Sequence, residues 1–188
     1  MKKSVLDNVV LQKIKTNIIQ MLKNRKIDVD NKMVYKTNHM YIPNDLYVRF
    51  ILNYKVKPNE IKLNLDKILK KDIKFPNIIL VLLDKPNNSI LKAIKIYKKK
   101  HHIQVFWKDE LIIDKVNHVL VPKHILINDS NEIDEILDKF QIKTINKLPF
   151  ILTTDPISKY YDAKKGNVFK IIRNSVTSGQ YISYRCVY

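Results

Sequence analysis

Residues 149–188 read PFILTTDPISKYYDAKKGNVFKIIRNSVTSGQYISYRCVY, and this stretch decides the fold. Leu148–Leu152 is extended and apolar. Asp155 followed by Pro156 marks a helix start. The carboxylate can accept a free N–H of the first turn, and a proline at the first helical position has no needed N–H to lose. Tyr160 and Tyr161 close that short helix. The chain has two glycines, Gly166 and Gly179, and both fall here. Gly166 admits a positive φ between Lys165 and a strand over Val168–Arg173. Asn174–Gly179 reads as a hairpin loop, and Tyr181–Tyr188 as the returning strand. Just upstream, Val119–Val121 and Ile125–Ile127 read as short strand pieces around Pro122. Asp129 or Ser130 then caps a helix with Ile133, Ile136, Leu137 and Phe140 on its inner face. Asp129, Glu132, Asp134 and Glu135 crowd its first turns, where the helix dipole favours negative charge. The pattern predicts a small α+β domain over 118–188.

The first part reads differently. Ser4, with Asp7 three residues on, predicts a capped helix carrying Leu6, Val9, Val10, Ile14, Asn17, Ile18, Met21 and Leu22 at helical spacing, ending near Asn24. Residues 28–45 are mixed and polar, with a turn at Pro43-Asn44. Tyr47–Tyr54 alternates, with Val48, Phe50 and Leu52 on one face, which predicts a half-buried strand. Pro58–Lys71 predicts a helix with Ile61, Leu65, Ile68 and Leu69 on one side. Asn77–Leu83 is continuously apolar and suits a central strand covered on both faces. Ser89 starts a helix with Ile90, Leu91, Ile94 and Tyr97 inward, ending at Lys98-Lys99-Lys100. His101–Trp107 is a further strand and Leu111-Ile112-Ile113 a third short run. Strands alternating with helices predict an α/β domain over 1–112.

Charge and composition narrow the function. The formal net charge is +17, which points to an acidic partner, nucleic acid first. Lys, Ile and Asn make up about two-fifths of the chain and Arg occurs four times, as an A/T-rich coding sequence would also produce. That bias acts along the whole chain, whereas the charge is uneven. Residues 1–117 hold 25 Lys and Arg against 11 Asp and Glu, or +14; residues 118–188 hold 10 against 7, or +3. The excess therefore marks the first part as facing an anionic surface. No stretch approaches the roughly 18 apolar residues of a membrane helix, and the N-terminus lacks the apolar run of a signal peptide. The one cysteine, Cys186, permits no internal disulfide and reads as a packed strand residue.

Signatures of catalysis are missing. Two glycines cannot build a phosphate-cradling loop. His101, His102, His118 and His124 lack metal-ligand spacing, and one cysteine cannot complete a zinc site. Ser175, Thr177 and Ser178 have no nucleophile elbow around them and read as turn residues. No catalytic residue, metal ligand or cofactor is expected. Lys98-Lys99-Lys100 reads as a solvated helix end that also suits the dipole, or as a phosphate contact.

The motif Leu120-Val121-Pro122-Lys123-His124 and the stretch Leu148–Tyr188 resemble the fifth subunit of multisubunit DNA-dependent RNA polymerases, a family with archaeal as well as eukaryotic members. The likeness runs through Leu148-Pro149, Asp155-Pro156-Ile157, Lys159-Tyr160-Tyr161, Lys164-Lys165-Gly166-Asn167-Val168, Lys170-Ile171-Ile172-Arg173, Ser175, Thr177-Ser178-Gly179, Tyr181 and Tyr184-Arg185. Archaeal members consist of this domain alone, and eukaryotic ones carry a jaw domain before it. Met21-Leu22-Lys23-Asn24-Arg25-Lys26 and the unit Ile78–Leu83, Asp84-Lys85-Pro86 to Tyr97 resemble that jaw. Three departures stand out. The Thr-Pro-Ser-Ala loop and helix that follow the strand matching Ile103–Trp107 are missing, so that Lys108-Asp109-Glu110-Leu111 resembles the strand leading into the Leu120–His124 motif. Asp162 stands where the family usually has Gly, and Val176 where Glu is common.

The resemblance implies a non-catalytic polymerase subunit. Its second domain would pack on the largest subunit among the other polymerase subunits. Its basic jaw would lie along downstream double-stranded DNA without reading sequence, and no membrane would be involved. On this reading His124, Lys170, Arg173, Tyr181, Tyr184 and Arg185 face the partner subunit. Asp155, Pro156, Gly166 and Gly179 are structural, and Lys98, Lys99 and Lys100 are DNA-proximal. Tyr181 and Tyr184 fall on opposite faces by alternation, one suited to core and one to interface. The composition and compact jaw fit a large DNA virus or an A/T-rich protist, which implies the viral factory and virion or the nucleus as the location. The alternative is a free-standing nucleic-acid-binding protein or a degenerate nuclease-fold module. A nuclease would need carboxylates clustered around Mg²⁺, and Asp84 and Asp109-Glu110 are scattered in sequence.

Overall fold

The computed structural model describes residues 2–70, 75–175 and 179–188. The chain divides into two compact units, Met1–Ile113 and Asp114–Tyr188. Together they form a mixed α/β structure.

The first unit opens with helix α1 (Lys2–Asn24) and continues through strands β1 (Val34–Tyr35), β2 (His39–Ile42) and β3 (Leu46–Ile51), helix α2 (Pro58–Leu69), strand β4 (Asn77–Leu82), helix α3 (Asn88–Lys98), strand β5 (His102–Trp107) and the single turn α4 (Lys108–Leu111). Its sheet runs β1-β2-β3-β4-β5. The first three strands are antiparallel, and β3, β4 and β5 are parallel. Parallel neighbours require crossovers, and α2 and α3 supply them. Ile61, Leu65 and Ile68 of α2 with Ile90 and Ile94 of α3 bury Tyr47, Ile51, Ile78, Leu80, Leu82, Ile103 and Val105 on one sheet face. On the other face lie Val48, Phe50, Ile79, Val81 and Phe106, all buried. Helix α1 covers this side. Its Lys15 ammonium lies 5.7 Å from the Phe50 ring centroid, and its Arg25 guanidinium donates to Gln104 Oε1 at 2.8 Å.

Several expectations change here. Helix α1 begins at Lys2, ahead of Ser4, and the Ser4 and Asp7 side chains lie outside the described residues. The stretch 28–45 holds β1 and β2, which at two and four residues are too short to signal strands, although Met40 and Ile42 are buried. Strand β3 is buried on both faces and stops at Ile51, leaving Leu52 exposed. It reads as alternating because Arg49 lies on the covered face, where its Nε donates to Asn64 Oδ1 of α2 at 3.1 Å; the aliphatic stem packs while the head is satisfied. Leu91 is exposed, and Ala93 takes the inward place. Helix α2 ends at Leu69, and Lys71 lies outside the described residues. The segment Lys108–Leu111 is a helical turn, and no described strand covers Leu111-Ile112-Ile113. Glu110 Oε2 accepts the Trp107 N–H at 3.3 Å, and α1 holds the turn's far end through Asn17 Nδ2, which donates to the Leu111 carbonyl at 2.6 Å.

The second unit contains β6 (Lys123–Ile127), α5 (Ser130–Lys139), a 3-10 turn at Ile145–Lys147, β7 (Phe150–Ile151), α6 (Pro156–Tyr160), β8 (Val168–Ser175) and β9 (Gly179–Val187). The sheet order is β6-β8-β9-β7. Residues Val119 and Leu120 are exposed and belong to no strand, so one strand rather than two follows Pro122. Ile127, Val168 and Cys186 face α5, where Ile136 and Leu148 are buried with them; Ile133, Leu137 and Tyr184 flank that core. On the opposite face Phe169, Ile171, Ile151 and Val187 meet Ile157 of α6, with Val121, Leu126 and Tyr161 alongside. Burial pushes the Cys186 thiol up, the state of a packed residue rather than a nucleophile.

With so few glycines, other residues take the left-handed conformation that ends helices. Lys26, Gln141 and Asp162 have φ of 62°, 54° and 54°. Each sits just past a helix and closes the same pair of bonds. After α5, Gln141 N–H donates to the Asp138 carbonyl and Ile142 N–H to the Leu137 carbonyl, and Ile142 packs with Leu137. This is the Schellman closure that glycine normally supplies. Asp162 does the same after α6, with Asp162 N–H donating to the Lys159 carbonyl and Ala163 N–H to the Ser158 carbonyl. Replacing exposed Gln141 by Gly relieves the strained φ at a small entropic cost. Gln141→Gly is expected to raise stability by about 0.5–1 kcal/mol, read as a higher urea midpoint with an unchanged slope.

Candidate interaction surface

The β8–β9 hairpin is the element on which most of the second unit's candidate side chains are mounted. Its ladder runs from Val168↔Cys186 to Ser175↔Gly179. Gly166 enters at φ 90° and donates its N–H to the Val187 carbonyl at 3.0 Å. An added Cβ there would meet nothing within 4 Å, so the requirement is conformational rather than steric. Asp155 Oδ1 accepts the Ile157 N–H at 2.8 Å with Pro156 at the helix start, the capping arrangement expected. Gly179, at φ 68°, closes the outer end. The strands pair as far as Ser175 and Gly179, so the loop is shorter than Asn174–Gly179; Val176, Thr177 and Ser178 lie outside the described residues.

Directly opposed residues of an antiparallel pair share a face. Arg173↔Tyr181, Ile171↔Ser183 and Phe169↔Arg185 therefore lie on the α6 side, joined by His124, which pairs with Ile171. Lys170↔Tyr184 and Ile172↔Ile182 lie on the α5 side. The structure thus brings His124, Arg173, Tyr181 and Arg185 together and puts Lys170 and Tyr184 on the opposite face. Tyr184 is half-buried, with its ring edge-on to Phe140 at 5.6 Å, whereas Tyr181 is 57% exposed. Tyr184 flanks the core and Tyr181 stands in solvent, on opposite faces of the sheet.

Burial falls off along the hairpin. Val168, Phe169 and Ile171 are buried, while Arg173, Asn174, Gln180, Tyr181 and Ile182 are exposed. The outer half therefore projects past both covering layers. Ile182 was missed at the sequence level, because a β-branched residue in a strand reads as core. Phe150 and Tyr188, also exposed, pair their rings at 5.3 Å, with the Lys165 ammonium 4.8 Å from the Tyr188 ring.

His124 is held at its place by a 2.7 Å contact between Nδ1 and the Pro122 carbonyl and by the edge of Phe169. Burial pushes its imidazole below the ordinary 6.5; the Pro122 carbonyl and Asp155 pull it back, and Arg173 and Arg185 add to the lowering. Protonation below 6.5 is then taken up by the unfolded chain before the folded one, so stability is present above 6.5 and falls as pH drops through that value. The wild-type urea midpoint is expected to decline more steeply between pH 7.5 and 5.5 than that of His124→Gln. Equal slopes would show that His124 titrates normally.

In the first unit, Lys98, Lys99 and Lys100 are exposed at the end of α3. Lys92 and Lys95, also exposed on that helix, were not singled out. No Asp or Glu occurs between Asp84 and Asp109. Nearby carboxylates have structural employment: Asp84 Oδ2 accepts the Lys55 N–H at 2.9 Å, and Asp66 Oδ1 accepts the Tyr97 hydroxyl at 2.8 Å. Among the described residues no three His, Cys, Asp or Glu side chains converge as a metal site.

The hairpin thus carries two arginines and an exposed tyrosine on one sheet face, side chains common in protein interfaces. Residues 113–187 match the family described as RNA polymerase Rpb5, C-terminal domain. The chain is 30% identical to the DNA-directed RNA polymerases I, II and III subunit rpabc1 of Dictyostelium discoideum, over 94% of this chain and 97% of that protein. It is 32% identical to the DNA-directed RNA polymerases IV and V subunit 5B of Arabidopsis thaliana, over 68% of this chain and 58% of that one. Identity to the RPABC1 subunit of Caenorhabditis elegans is 38%, over 47% and 41%. The chain belongs to this fifth-subunit family of DNA-directed RNA polymerases, whose members are non-catalytic subunits.

Proposed function

We propose that the second unit anchors the chain to the largest subunit of the polymerase through the α6-side face of the hairpin. The observation that carries this reading is that His124, Arg173, Tyr181 and Arg185 share one sheet face, with Arg173 and Tyr181 on its projecting outer half. Strands fix the backbone in advance, so little backbone entropy is lost on docking. Arginine and tyrosine are the side chains that most often dominate interface energies. The double charge reversal Arg173→Glu/Arg185→Glu is expected to remove the protein from the purified polymerase, while its own unfolding midpoint falls only by the loss of the exposed bond from Arg185 Nη1 to the Phe150 carbonyl at 3.1 Å. Full retention in the complex would refute the anchoring face.

The first unit, the jaw of this reading, lies along downstream duplex in the assembled enzyme. Its support is the carboxylate-free run through α3, which leaves Lys92, Lys95, Lys99 and Lys100 exposed without a nearby acid in sequence. Lysines placed in this way attract phosphate without reading bases. For Lys98→Gln/Lys99→Gln/Lys100→Gln, duplex affinity should fall equally for unrelated sequences. The slope of log affinity against log salt should flatten by about 0.9 for each phosphate that is no longer neutralised. An unchanged slope would place the DNA elsewhere. The protein would act in the nucleus when it serves a cellular enzyme, and in the viral factory and virion when it serves a viral one.

A further inference from the structure

We infer that the open edge of β9 over Gln180–Tyr184 receives an extended acidic segment of another polymerase subunit as an added strand. The inference rests on the anchoring role above and names what the hairpin grips. Backbone direction along β9 is set by bonds at its inner end. Cys186 N–H donates to the Pro149 carbonyl at 2.8 Å and Tyr188 N–H to the Ile151 carbonyl at 2.9 Å, both away from β8. Val187 N–H points the other way, to the Asn167 carbonyl. Even-numbered residues of β9 therefore turn their backbone groups outward. Strand β7 covers that side only at Cys186 and Val187. Beyond it, Gln180, Ile182 and Tyr184 present outward N–H and C=O groups to which the described residues supply no backbone partner.

Exposed edges are normally blunted by charge, proline or a bulge. The opposite edge of the same sheet follows that rule, since β6 is preceded by Pro122 and begins Lys123-His124. The free part of β9, Gly179-Gln180-Tyr181-Ile182-Ser183-Tyr184, has neither charge nor proline. Its Tyr181 and Ile182 are 57% and 42% exposed on opposite faces. Such an edge offers main-chain bonds for affinity and flanking side chains for specificity. A guest of about five residues would continue the row that β7 begins, at about 3.4 Å per residue.

Charge selects among occupants. After Asp162 the chain carries Lys164, Lys165, Lys170, Arg173 and Arg185 and no Asp or Glu. A second copy would set these five cations against five more. Nucleic acid has no backbone N–H row to satisfy the three outward carbonyls. An acidic polypeptide strand meets both demands.

Amide hydrogen exchange on the assembled polymerase and on the free full-length chain tests this. Expected is protection of the Gln180, Ile182 and Tyr184 amides by at least about tenfold in the assembly and fast exchange in the free chain. Exchange as fast in the assembly as in the free chain would overturn the proposal. So would a free chain that sediments as a dimer with these amides already protected. Ile182→Pro removes one outward N–H and spares the ladder to β8, whereas Ile182→Thr keeps it. Retention in the polymerase should drop about tenfold for the proline variant and stay within about twofold for the threonine one. Wild-type exchange decides the matter if the proline variant misfolds. Loss of retention with Arg173→Glu/Arg185→Glu but none with a folded Ile182→Pro would sink the added strand and leave the anchoring face standing. No loss with either would sink both.

Discussion

The ladder between β8 and β9 is the constraint on which the second unit depends. It brings Val168 opposite Cys186 and Lys170 opposite Tyr184, and so determines which side chains face α5 and which face α6. A slip of one residue would carry Val168 and Phe169 to the wrong layers and turn Arg173 and Arg185 onto the other side. Register is therefore strongly specified by burial on both faces at the inner end. At the outer end neither face is covered, and the same ladder holds polar and aromatic residues in solvent. One hairpin thus is core at one end and stands in solvent at the other. Gly166 and the Asp155 cap matter because they hold the inner end in this register.

The first unit solves a different problem. Parallel pairing of β3, β4 and β5 buries the sheet on both sides, so its cationic residues are displaced onto helix surfaces. On α2, carboxylates are engaged in packing bonds, as Asp66 is with Tyr97. On α3 there are none to offset the lysines. Placing Lys95 and Lys98 in the last turn also stabilises the helix itself through its dipole, so stability and attraction for phosphate favour the same residues. The charge at that helix end therefore has a structural cause in the dipole as well as the proposed contact with duplex.

Much of this was readable from residues. The Asp155-Pro156 cap, the turn at Gly166, the hairpin, and the helices α2, α3 and α5 are specified by neighbouring residues, and neighbouring residues suffice for caps and turns. The failures share one cause. Strands β1 and β2 are too short, at two and four residues, to show a period, and they form because β3 offers β2 an edge and β2 offers one to β1. Leu111-Ile112-Ile113 is too short to distinguish strand from helix, and the hydrogen bond from Asn17, far away in sequence, settles it. Strand β3 reads as half-exposed because Arg49 reads as solvent, although α2 supplies its partner.

For the surface, sequence alone determined the inventory: a C-terminal stretch that holds both glycines, has no Asp or Glu after Asp162 and carries arginines and tyrosines at strand spacing. It also determined that Tyr181 and Tyr184 oppose each other across the sheet, since that follows from a period of two. Only the tertiary structure decided which face is which. The docking of α5 makes the Tyr184 side core, and that of α6 leaves Arg173, Tyr181, Arg185 and His124 grouped. The structure also decided that β7 stops after two residues and leaves the edge of β9 open. Pairing partners are chosen by packing across the whole unit, and no local pattern encodes where a neighbour ends.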